Sequence, residues 1–250
     1  MLVQIDYKLQ FAAPFHAGTG ITEGLIDRSV VRDADGNLYI PASTFKGVLR
    51  EHCEQLCRFY LPNEPIASPH DKRAALTQFG KAPSLISRVF GSPLHPGGLR
   101  FNDARQEVGT RQAYQELQTT IATQVRIDRL TRTAVDKALY TSEFGSPYLL
   151  FKGTIKGQLN DTPITELTAT IAARAPYTLA PTCSLLILLA GMLMVERLGG
   201  NKSTGKGQCR CTIENLLLDG RRCTEERWQS WIEHLDVATD HLSGARGGQA

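Results

Sequence analysis

The sequence lacks the features that would mark a membrane or secreted protein. Its longest apolar run, Leu185 to Val195, ends at Glu196 and Arg197 after eleven residues, about half of what a helix needs to cross a bilayer. The opening MLVQIDYKLQF alternates apolar and polar residues and has neither the basic nor the apolar region of a signal peptide. Six cysteines are scattered over 250 residues without a C-x2-C pair, so reduced, packed thiols are expected and the protein is read as cytoplasmic. Net charge is scarce too. With 28 Lys and Arg against 25 Asp and Glu, it is only +3, too little for whole-molecule attraction to nucleic acid. The 42% apolar and 21% charged composition excludes disorder as the main state.

What is present is clustered. From Arg197 to Ile213 there are four basic residues and no acid, a strip able to hold a polyanion backbone on a nearly neutral protein. Val3, Ile5, Tyr7, Leu9 and Phe11 alternate with polar residues, which predicts a strand with one buried face. A loop, FHAGTGITEGLID, follows. Val30–Arg32 and Leu38–Ile40 flank Asp35-Gly36, the signal of a hairpin. After Pro41, Ser43 or Thr44 is expected to cap a helix to about Tyr60, with Phe45, Val48, Leu49, His52, Cys53, Leu56 and Tyr60 on one stripe.

Residues 61–82 read as loop, SLISRVFG as a short helix and GGLRFNDA as a strand. Residues 105–147 are polar and weakly patterned, with no strong period to assign them. A strand is expected at Tyr148–Leu159, a buried helix at about Ser184–Leu198 and a strand at QCRCTIENLLL. A helix from Thr224 should carry Trp228, Trp231, Ile232 and Leu235 on one face, and the tail SGARGGQA is expected to be disordered. Two successive strand–helix–strand units around a long insertion outline an α+β, ferredoxin-like (RRM-like) core.

Three segments could carry chemistry. In IPASTFKGVLR, Ser43 and Thr44 sit at a helix start, and Lys46 and Arg50 fall one turn apart. Free N–H groups and the helix dipole attract anions there, although an ordinary capped helix with a solvated basic face looks the same. In GGNKSTGKG, Gly199, Gly200 and Gly205 alternate with Lys202, Ser203, Thr204 and Lys206. This resembles a phosphate cradle but lacks the order of a nucleotide P-loop, and a mobile surface loop has the same composition. In QVRIDRLTRTAVDKALY, Arg126, Arg129 and Arg132 recur every third residue and could grip phosphates, with Asp128 and Asp136 partly offsetting them.

GLIDRSVVRDADGNLYIPASTFKGVLR, VRIDRLTRTAVDKALYTSEFG and LGGNKSTGKGQCR, in this order, resemble the RAMP superfamily, in particular the backbone subunits of type III CRISPR effector complexes of the Csm and Cmr kind. The resemblance extends over roughly residues 3–215. It implies one domain over 1–240 with an RRM-like core, an insertion at about 61–97, a β-hairpin thumb within 105–147 and a disordered tail at 241–250. It also implies a filament of neighbouring backbone subunits along a CRISPR RNA, which the helix-start and glycine-rich segments grip. The thumb would displace bases of the guide–target duplex, and an aspartate in the loop after the first strand would support cleavage of target RNA. The matching residue is Asp27.

Histidine suits proton transfer at neutral pH, so His16 in the same loop is a second candidate, beside the alternative of a loop histidine with no role. A divalent ion, Mg, is implied by the family, though the sequence shows no complete cage. His52, Cys53, Cys57, His70 and His95 raise a structural zinc, but packed thiols are the better expectation. The implied activity is an RNA-guided endoribonuclease subunit. A non-cleaving backbone or capping subunit, or a guide-processing endoribonuclease, remains an alternative. A generic RRM protein is disfavoured by the lack of an aromatic pair on the strands.

Overall fold

The computed structural model describes residues 1–22, 24–66, 82–107, 118–164, 180–236 and 239. In chain order the elements are β1 (Leu2–Phe11), β2 (Tyr39–Ile40), α1 (Ala42–Tyr60), α2 (Leu85–Phe90), β3 (Leu99–Phe101), β4 (Ala104–Gln106), β5 (Thr119–Ile127), β6 (Ala134–Gly145), β7 (Leu150–Gln158), α3 (Cys183–Leu193), β8 (Cys209–Leu218), β9 (Arg221–Cys223) and α4 (Glu225–Glu233). The fold is mixed α+β. One sheet runs β2-β4-β7-β1-β8-β9, with β3 also on β7, and a second consists of β5 and β6. Every pairing in both sheets is antiparallel.

β1 forms because its period is two and one face has somewhere to go. Val3, Ile5, Tyr7, Leu9 and Phe11 are all buried, while Gln4, Asp6, Lys8 and Gln10 line the other face. Tyr7 stands opposite Gly153 of β7, where a Cβ would strike its ring, and it stacks on Phe45 of α1 at 4.4 Å between centroids. Such a stack contributes about 0.5–1.5 kcal/mol beyond burial.

α3 is buried all round, from Cys183 to Met192, because α1, α2, α4 and β8 all pack on it. It is shorter than the expected 184–198. Where α1 and α3 meet, Gly191 lets Cys53 in close; a Cβ there would sit 2.6 Å from Sγ. Burial pushes the Cys53 thiol well above its ordinary range, and those of Cys57 and Cys183 up to about 12, which makes them inert packing groups. α4 buries Trp228 and Trp231, and Leu235 just beyond it is buried as well.

Several expectations need correction. The α1 stripe is Phe45, Val48, Leu49, Cys53 and Cys57, with His52, Leu56 and Tyr60 only half-buried. The hairpin at 30–40 reduces to one bridge, Arg32 to Leu38, and β2 pairs with β4 instead. Its turn is real, since Asp33 Oδ1 accepts from the N–H groups of Asp35 and Asn37, but local turn chemistry does not choose the strand's partner.

The described residues 105–107 and 118–147 are also more regular than their polarity suggested. β4 belongs to the main sheet, and β5–β6 form a long hairpin, exposed over most of its length. The expected strand at 148–159 begins at Leu150. The tail 241–250, His70 and residues 67–81, 108–117 and 165–179 lie outside the described residues. Among the described residues no helix is long and apolar enough to cross a membrane.

Candidate nucleic-acid interface

The lower part of β6 organises the site. Asp27 and Arg28 both donate their N–H to the Thr141 carbonyl, at 2.9 and 3.2 Å, and Glu143 N–H donates to the Arg28 carbonyl at 2.9 Å. The Asp27 carboxylate joins this docking, because its Oδ2 accepts the Thr141 N–H at 2.7 Å. Asp27 is exposed and enters no ion pair among the described residues. One oxygen of this exposed carboxylate therefore fixes the loop on β6.

His16 is held two residues further along the same strand. Its Nδ1 donates to the Glu143 carbonyl at 2.8 Å, which fixes the tautomer with Nε2 as the acceptor nitrogen. That nitrogen lies against Gly18, leaving no room for a Cβ there. The ring also meets Phe144 edge-on at 5.9 Å. As placed, half-buried His16 ties its loop to β6 through Nδ1.

The glycine-rich loop reaches the same strand. Gly200 N–H donates to the His16 carbonyl and Gly207 N–H to the Pro14 carbonyl, both at 2.8 Å. Gly199 has φ +90°, and a Cβ on it would run into that His16 carbonyl oxygen. Lys206 Nζ sits 5.0 Å over the Phe144 ring. Lys202–Thr204 form a single 3-10 turn, with Ser203, Thr204 and Gly205 exposed and Lys202 half-buried. Thr141, which docks Asp27, and Phe144, which carries Lys206, are about 10 Å apart along the strand. Gly199→Ala is expected to destabilise the fold by roughly 1–3 kcal/mol, since the substitution meets both an unfavourable φ and a fixed carbonyl. Thermal unfolding would read this as a fall of several degrees; an unchanged Tm would contradict it.

The helix-start segment does not join this cluster. Neither Ser43 nor Thr44 caps α1. Pro41 is at the N-cap without a side-chain bond, and Asp103 Oδ1 accepts the Ala42 N–H at 2.7 Å, so the protein's own carboxylate takes a donor that a phosphate would need. Arg50 is turned inward, with Nε on Glu54 at 2.8 Å and a second donor on the Gly91 carbonyl at 3.0 Å.

Lys46 lies 5.5 Å over Phe101 of β3. Burial, and then the nearby Arg50 charge, lower its pKa. Phe101 is level with Ile5 in the sheet, whereas the glycine-rich loop enters β8 level with Phe11. Along β1 and across from β3 to β8, that separation is roughly 25 Å. Two basic segments clamping one point around Asp27 is therefore not the arrangement found. Only the glycine-rich loop shares a strand with it.

The three arginines of the β5–β6 hairpin also differ from expectation. All three are exposed, but only Arg126 lies on a strand. Arg129 and Arg132 sit in the tip turn, which Asp128 closes by accepting from the N–H groups of Leu130 and Thr131, and Arg132 has φ +57°. Spacing by three wraps them around a turn instead of aligning them.

The sequence pattern did not point to Glu143. This buried acid accepts the Val30 N–H at 3.0 Å and pairs with Arg32 at 2.5 Å, tying the loop after residue 29 to β6. Burial alone would raise its pKa, but the hydrogen bonds from Val30, Thr119 and Arg32 more than offset it and hold the carboxyl below its ordinary value. A single acid in the otherwise uncharged run Tyr140–Phe144 was the one signal that could have found it. Among the described residues, no group of three or more His, Cys, Asp or Glu could hold a metal ion.

An antiparallel α+β protein with an acid-free, glycine-rich basic edge beside a docked carboxylate is the class that this geometry defines. The chain belongs to the RAMP superfamily, whose profile matches residues 8–210. No curated protein matches it. Membership suggests a CRISPR-associated RNA-binding module with RNA and complex partners, in a superfamily that includes some ribonucleases.

Proposed function

We propose that this chain is a CRISPR RNA-binding backbone subunit of a type III effector complex that supports cleavage of guide-complementary target RNA at its own site. The observation that carries this reading is the convergence of the Asp27 loop and the glycine-rich loop on one stretch of β6, from Thr141 to Phe144. Within the proposal the core is ferredoxin-like. The order β8-β1-β7-β3, all antiparallel, with α1 after β1 and α3 before β8, supports that reading. The β5–β6 hairpin would be the thumb, and neighbouring copies of the subunit would be partners along the RNA.

In this reading Lys202 and Lys206 supply charge to a phosphate backbone, while the N–H groups of Gly200, Thr204, Gly205, Lys206 and Gly207 bond within the protein and hold the loop's shape. The other oxygen of Asp27 orients the ribose 2′-hydroxyl of a displaced target nucleotide for in-line attack on the adjacent phosphorus. As the 2′-oxygen bonds to phosphorus the P–O5′ bond breaks, the hydroxyl proton passes to water and the departing 5′-oxygen takes one from water, leaving a 2′,3′-cyclic phosphate and a 5′-hydroxyl. Alignment of that kind contributes a large part of such a rate. Orientation is the task assigned to Asp27 in this reading. A divalent ion such as Mg, expected from the family, would be held by Asp27 together with phosphate oxygens of the RNA, where it would neutralise developing charge.

The same Oδ2 bond to Thr141 favours a second reading, in which Asp27 only docks its loop and the subunit binds RNA without cutting. RNA binding is common to both and is tested first. The Lys202→Ala/Lys206→Ala double variant is expected to weaken binding of single-stranded RNA and to lower the salt dependence, by about 0.7 in log–log slope for each phosphate that is no longer neutralised. Fluorescence anisotropy across a salt series measures this. Unaltered affinity and slope would overturn the RNA-gripping role of the loop.

A further inference from the structure

Beyond the glycine-rich loop, the surface continues into a cleft at the end of β1, lined in part by Gln10, Tyr148, Leu193, Arg197, Gln208 and Arg210. Tyr148 is its most unusual member. It lies in the β6–β7 connection with φ +70°, a left-handed conformation unfavourable for a bulky L-residue and freely available to glycine. Its N–H donates to the Phe11 carbonyl at 2.7 Å, which holds the backbone in that state. Yet the residue is 68% exposed, so packing does not explain why a tyrosine occupies the position.

The rest of the cleft suits one kind of occupant. Leu193, 48% exposed at the end of α3, and buried Val195 give it an apolar side. Arg210 stands across from Gln10 on the open face of the sheet and has no ion-pair partner among the described residues. Arg197 donates to the Lys202 carbonyl at 2.6 Å and pairs by a backbone bridge with Gln208, so these two residues form the neck of the glycine-rich loop. Glu196 also lines the cleft and opposes the two guanidinium groups without cancelling them. An exposed ring, two arginines and the side-chain amides of Gln10 and Gln208 match a flat heteroaromatic base attached to a phosphate.

We propose that this cleft holds one nucleotide of single-stranded RNA as the strand leaves the glycine-rich loop, with the base stacked on Tyr148 and the phosphate at Arg197 and Arg210. The site rests on the RNA-binding reading above and extends it to a position outside the two loops.

The test uses the full-length chain and a labelled single-stranded RNA of about 12 nucleotides. Tyr148→Gly removes the ring and relaxes the backbone, so its Tm should equal or exceed that of the wild type while affinity falls roughly 5- to 150-fold. Tyr148→Phe keeps the stacking face and should bind like the wild type. Wild-type affinity in Tyr148→Gly, alongside weakened binding in the Lys202→Ala/Lys206→Ala variant, would overturn this site and leave the loop assignment standing. A change confined to oligomeric state would overturn it in favour of a protein contact. Absence of RNA binding by the wild type would overturn both readings.

Discussion

Asp27→Ala, introduced into an assembled complex, is expected to reduce target cutting at this subunit's position on the order of 100-fold or more, with guide and target binding little changed. Alanine alone is ambiguous, because it also removes the acceptor of the Thr141 N–H and could let the loop drift from β6. Asp27→Asn separates the two roles. Its amide oxygen can still accept that N–H, so the loop stays docked, while the charge that orients the 2′-hydroxyl is gone. Both variants should lose cutting, and only the alanine should expose the Thr141 amide to faster hydrogen exchange. Full-rate cutting by the asparagine variant would reduce Asp27 to a structural residue and favour the non-cleaving reading.

Legibility in the sequence followed burial. β1 was readable because one of its faces is wet and the other lies in the core, and α3 because its apolar run is too long for a strand. Strands β5 and β6 were hidden for the opposite reason. Ile121, Val125, Ile127 and Leu139 all face solvent, so no buried face imposed a period. The turn at Asp33–Asn37 was readable, but the choice of β4 as partner for Tyr39 and Ile40 was not, since pairing depends on residues far along the chain.

The same division holds at the site. Glycine density and the absence of acid marked residues 199–207 without any structure. The docking of Asp27 on Thr141, across 114 residues of chain, had no local signature. Charge spacing on a helix face does not reveal that Glu54 already pairs with Arg50 and that Asp103 takes the Ala42 N–H at the α1 start.

Glu143 is where fold and site meet, and its removal should have the largest effect on stability among the variants considered. In Glu143→Ala the buried Val30 N–H loses its acceptor and Arg32 its partner. An orphaned buried donor costs about 1–3 kcal/mol, and the Arg32 pair, half open to solvent, adds little to that. A loss of roughly 2–3 kcal/mol lowers Tm by about 4–12 °C for a chain of this size. The wild type should show the same dependence through pH. Its carboxyl titrates below the ordinary value of 4.5 in the folded state, so the stabilisation is fully present above that value and is lost as pH falls through the lower, folded pKa. Glu143→Ala should therefore lose less stability between pH 6 and pH 3 than the wild type does. Parallel stability–pH curves for the two proteins would show that the Glu143 carboxylate does not hold the Asp27 loop on β6.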